Sequence, residues 1–157
     1  MIRSQRDELQ LLQQALARVV KQVAHLRYTL DRLDPACPLD DPVIVERYEA
    51  LTARFSRLQD TLVGPFRSIA LLELEEQKAE RIPDLLNLME KRGIVPAAGD
   101  WPAMRRLRNA IAHEYWDNPD ELRELFTLVA HYSRILMATV TNLSHYVAWL
   151  EQQSKLE

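Results

Sequence analysis

Residues 9–33, LQLLQQALARVVKQVAHLRYTLDRL, decide the fold class. Leu9, Leu12, Leu16, Val19, Val20, Val23, Leu26, Leu30 and Leu33 recur at three- and four-residue spacing, which gathers them on one face of a long amphipathic helix. The stretch Asp34 to Pro42 holds three prolines, which remove backbone donors and force extended residues before them, so it reads as a loop. A second helix is predicted after Asp41, an N-cap with Pro42 at the first helical position, carrying Ile44, Tyr48, Leu51, Phe55, Leu58 and Leu62 on one face.

Gly64-Pro65 predicts a break or kink, with helix resuming from Phe66 to Arg81 and Glu73, Glu76 and Glu80 on a solvated face. A short helix from Pro83 to Lys91 should stop at Gly93, and Asp100 caps the next one, which ends near Trp116. Asn118-Pro119-Asp120-Glu121 is a capping box that opens a long last helix, with Leu122, Phe126, Val129, Tyr132, Leu136, Val140, Leu143, Val147 and Leu150 on its apolar face. The expectation is one all-α domain over residues 1–157, an antiparallel bundle of about five helices. The apolar stripes of the first and last helices are long enough to place part of that surface between two chains.

Composition bounds the function. The chain has 157 residues, 47% hydrophobic and 27% charged, with three glycines and a net charge of −3. That acidity argues against coating nucleic acid non-specifically, so any RNA contact must be local. Cys37, the single cysteine, lies between prolines in a loop and has no intrachain partner. The start of the chain alternates charged and polar residues, and the longest uncharged stretch, residues 135–150, is too polar for a membrane span. A cytoplasmic protein with no membrane contact is expected.

The local exception to the acidic balance is residues 101–116, where Arg105, Arg106 and Arg108 face Glu114 alone. Arginine offers a permanently charged fork that matches phosphate oxygens, and His113 can exchange a proton near neutral pH. These are the abilities that RNA cleavage without a metal requires: a base for the 2′-hydroxyl, a cation for the phosphoryl oxygens and an acid for the departing 5′-oxygen. On an ideal helix Arg108 and His113 are about 140° and about 7.5 Å apart, so they do not share a face. Arg105, Asn109 and His113 do share one, with Arg108, Ala112 and Tyr115 in the neighbouring row. A symmetric dimer that brought two such helix ends together would supply base, acid and charge from different chains.

Arg108-x4-His113-x-Tyr115, with Asn109 in the polar place after the arginine, resembles the R-x4-H-x-Y signature of HepT-like proteins in the HEPN superfamily. The likeness rests on about ten residues and extends in architecture to the HEPN-like helices on either side. It implies a metal-independent endoribonuclease, active as a homodimer without cofactor or metal, and serving as the toxin of a toxin–antitoxin pair. On that resemblance His113 is the acid/base, Arg108 the phosphate contact and Asn109 a site organiser. Arg105 and Arg106 are candidate RNA contacts. Tyr115 matches the tyrosine that a minimal nucleotidyltransferase (MNT) antitoxin modifies with AMP, whose bulk and negative phosphate would compete with RNA at the arginines.

Two other readings stand beside it. Some proteins resembling this family are non-catalytic, substrate-binding partners of a minimal nucleotidyltransferase. On physical grounds alone, Tyr115 is an amphipathic helix-end residue, Trp101 and Trp116 are packing residues, and the motif caps a helix in a purely structural dimer. His131 and His145 lie roughly 21 Å apart along one helix, too far to share a metal, and His25 has no ligand-like neighbour.

Overall fold

The computed structural model describes residues 4–34, 36–113 and 118–156. They form six helices and no strand: α1 (Gln5–Leu30), α2 (Pro42–Leu72), α3 (Glu76–Glu80), α4 (Ile82–Lys91), α5 (Asp100–His113) and α6 (Pro119–Leu156). None is long and apolar enough to cross a membrane. The buried faces of all six helices join in one cluster, centred on Leu12, Val19 and Leu26 of α1, Phe55, Leu62 and Phe66 of α2, and Leu136 and Leu143 of α6.

The caps follow the sequence. Ser4 Oγ accepts from the Asp7 N–H at 3.2 Å, starting α1 earlier than its apolar stripe suggests. Asp41 accepts from Val43 at 3.0 Å; Asn118 Oδ1 accepts from the Glu121 N–H at 3.3 Å as an N-cap does, while the Glu121 carboxylate accepts from the Asn118 side-chain amide at 3.0 Å. Gly93, at φ 73°, ends α4 with the Ile94 N–H returning to Met89 O, the left-handed closure that glycine accommodates without strain.

Two expectations need correction. Helix α2 runs through Gly64-Pro65 without ending, because Pro65 withholds a single N–H and its buried ring packs in the core beside Phe66. The break comes at residues 73–75, where Leu74 takes φ 62° and the Glu75 N–H returns to Ala70 O at 2.8 Å. A leucine thus holds a left-handed position that costs an L side chain roughly 1–2 kcal/mol. Glu73, expected on a solvated face, is half-buried and bonded to other helices.

The bundle is also not uniformly antiparallel. Contacts Gln22–Thr61 and Thr29–Arg54 show α1 antiparallel to α2, and Gln13–Glu151 with Arg27–Met137 show it antiparallel to α6. Tyr48 stacks on Phe126 at 4.4 Å while Glu73 meets Tyr146 further along both helices, so α2 and α6 run parallel. Helix α4 packs on α2, and α5 packs mainly on α6 while Gln59 and Asp60 of α2 reach its Trp101 and Arg108, which positions the site.

Candidate functional site on α5

The burial of α5 divides its sequence by face. Trp101, Met104 and Leu107 are buried and Ile111 is half-buried, whereas Arg105, Arg106, Asn109, Ala112 and His113 are exposed. Trp101 packs at 5.5 Å, tilted, against Phe66, so its expected packing role is met. Tyr115 and Trp116 lie outside the described residues.

Arg108 sits between the two faces, its side chain 24% exposed. Its Nη1 donates to Asp60 Oδ1 at 2.8 Å and to Gln59 Oε1 at 3.1 Å, and its Nη2 donates to Asp60 Oδ2 at 3.1 Å. A two-pronged pair of this kind fixes the plane of the guanidinium as well as its position. Gln59 is buried and its Nε2 donates to Trp101 O at 3.2 Å, so one amide ties α2 both to the first turn of α5 and to Arg108. The donor on one partner and the acceptor on the other fix which way that amide points. Of the five guanidinium N–H groups, three are used in these bonds, which leaves the Nε–H and one Nη2–H for a ligand.

No family model, curated protein or solved structure matches this chain.

The geometry stands on its own. Arg105, Asn109 and His113 form an exposed row on α5, with Arg106 exposed nearby and Arg108 anchored beside them at the α2 contact. No group of three or more His, Cys, Asp or Glu side chains among the described residues is placed to hold a metal ion. The arrangement can hold an anion against the fixed guanidinium of Arg108, with exposed Arg105 and Arg106 as further cations, and sets an imidazole at the end of the same helix.

Asp60 and Gln59 are the partners that sequence reasoning missed. Gln59 carried a signal: it follows Phe55 by four residues and precedes Leu62 by three, so a polar side chain stands at core spacing and needs a buried partner. Asp60 carried none, since an acid beside it on an amphipathic helix looks like any solvated residue. His131, His145 and His25 are exposed, and none joins the α5 site.

Proposed function

We propose that this chain is a metal-independent endoribonuclease of the HEPN type, close to the HepT-like proteins. It works as a homodimer and as the toxin opposed by an MNT antitoxin. The observation that carries this reading is the state of Arg108: Asp60 and Gln59 fix its guanidinium while two of its N–H groups stay unused, in the row next to exposed Arg105 and Asn109, with His113 exposed on the same helix.

In this reading the oriented guanidinium binds a non-bridging phosphate oxygen and stabilises the charge that grows on it when the 2′-oxygen attacks phosphorus. His113 takes the 2′-hydroxyl proton or gives one to the departing 5′-oxygen. One imidazole does not serve both oxygens at once, and the second chain of a dimer supplies the other. Arg105 and Arg106 hold the flanking backbone, and Asn109 orients the phosphate or the ribose by hydrogen bonding. AMP on Tyr115 brings a competing phosphate to the same arginines.

One observation favours the second reading, a non-catalytic partner of a minimal nucleotidyltransferase: Asp60 already neutralises Arg108. Incubating the purified protein with labelled total RNA in chelator, beside a folded His113→Ala variant, separates the two. Cleavage by the native chain alone supports the ribonuclease; cleavage by neither assigns the chain to the partner role, and cleavage by both removes His113 from the mechanism.

A further inference from the structure

A second cationic site lies away from α5, where the end of α1 meets the beginning of α2. Arg32, Arg47 and Arg54 line one concavity of about 370 Å³ together with Tyr28, and Glu46 is the one acidic residue in its lining. None of the three guanidiniums is within ion-pair distance of a carboxylate among the described residues. Each is instead tethered to α1 or its trailing turn: Arg32 donates to Tyr28 O at 3.0 Å, Arg47 to Arg32 O at 3.3 Å, and Arg54 to His25 O at 3.0 Å and to the Thr29 hydroxyl. These bonds cover carbonyls near the negative end of α1 and leave the other guanidinium donors available. Three like charges facing one concavity repel each other, and a polyanion relieves that repulsion.

We propose that this concavity binds the phosphodiester backbone of single-stranded RNA. The choice of RNA over a small anion comes from Tyr28. Tyr28 is 56% exposed, and the Arg32 guanidinium lies over its ring with Cζ 3.4 Å from the centroid. A guanidinium lying over an exposed aromatic side chain offers an unpaired base a surface to stack on, which a free phosphate does not use. The choice also rests on the ribonuclease reading of α5, and α2 joins the two places. Arg47 and Asp60 are thirteen residues apart on it, about 20 Å along the axis, with exposed Arg57 between Arg54 and Asp60. The two places lie about 140° apart around α2, so a strand held at the arginine cluster passes around the helix, by way of Arg57, to reach Arg108.

The test measures binding of a fluorescent, 2′-O-methyl single-stranded oligoribonucleotide, which lacks the attacking hydroxyl, across a range of salt. Arg32→Gln/Arg47→Gln, with helicity and melting temperature checked, is expected to bind about tenfold more weakly at low salt. Its slope of log Kd against log salt should fall by about 1.4, the loss of two phosphate contacts at about 0.7 each. Tyr28→Ala should weaken binding several-fold with the slope unchanged. Equal affinity and slope for the native chain and the double variant overturn the proposal, as does no binding by the native chain. Displacement by inorganic pyrophosphate at matched phosphate concentration overturns it too, by reassigning the cluster to a small anion. Cleavage of unmodified RNA is scored separately. Cleavage with binding indifferent to the double variant removes this site alone, whereas binding that depends on the arginines without cleavage keeps this site and removes the nuclease.

Discussion

Asp60 of α2 and Glu73 at its C-cap each receive an arginine from later in the chain, yet the two clamps differ in how far the carboxylate is exposed. Asp60 is 59% exposed and Arg108 keeps unused donors beside exposed polar side chains. Glu73 is 17% exposed, and its Oε1 accepts from both Arg92 Nε, at 2.7 Å, and the Tyr146 hydroxyl, while Oε2 is buried without a partner among the described residues. The enclosed clamp, so called for its half-buried carboxylate, joins the end of α2, the end of α4 and α6; the open one joins two helices through an exposed carboxylate. Among the described residues Arg92 uses its Nε–H alone and Arg108 uses three of five, so unused donors do not by themselves mark a site; the exposed carboxylate and the exposed polar row next to Arg108 separate the two pairs.

That contrast breaks if the open clamp proves inert in catalysis or the enclosed one proves active. The largest expected effect is on cleavage: His113→Ala should lower the rate by about 10²–10⁴-fold with an unchanged melting curve, measured on labelled RNA in chelator. Glu73→Ala should cost about 1–3 kcal/mol in urea unfolding, because it strips the shared acceptor from Arg92 and Tyr146, and should leave the specific activity of the folded fraction unchanged. Arg108→Lys keeps the charge but loses the fork. It should reduce cleavage while costing about 1 kcal/mol of stability, since one bond to Asp60 or Gln59 is lost.

Tyr146→Phe should cost about 0.5–1.5 kcal/mol at neutral pH. Burial, first, and the hydrogen bond to Glu73, second, raise the Tyr146 hydroxyl above the usual tyrosine range. The native state therefore keeps a proton that the unfolded chain loses near pH 10, and the stabilisation, whole below about pH 10, is lost as pH rises towards the native-state value. The phenylalanine variant should show a flatter alkaline limb in unfolding titrations. The smallest effect concerns Leu74: Leu74→Gly should raise stability by several tenths of a kcal/mol, relief of the left-handed strain exceeding the added chain entropy of glycine.

The helices were legible because the face of each repeats at helical spacing and the caps Asp41 and Asn118 are side chains with one obvious local task. Pro65 misled because a missing N–H is a local signal, whereas the burial that retains the helix around it is tertiary. Residues 73–75 misled for another reason: nothing in Glu73-Leu74-Glu75 resembles a glycine stop, and the Glu73–Tyr146 contact at the turn joins side chains 73 residues apart. The exposed row of Arg105, Asn109 and His113 was readable from spacing alone. The anchoring of Arg108 was not, because its partners stand 48 and 49 residues away and pairing across such separations leaves no periodic trace.

That separation has a consequence for synthesis. The chain emerges from its N-terminus, so α1 and α2 are available to pair while α5 is still to be made, and the Asp60 carboxylate and Gln59 amide wait for their arginine. The oriented guanidinium comes into being only when the growing polypeptide has released residues 100–113 and folded them back on α2. A nascent chain on its ribosome, surrounded by RNA, thus lacks the assembled site until α5 has emerged and folded back on α2.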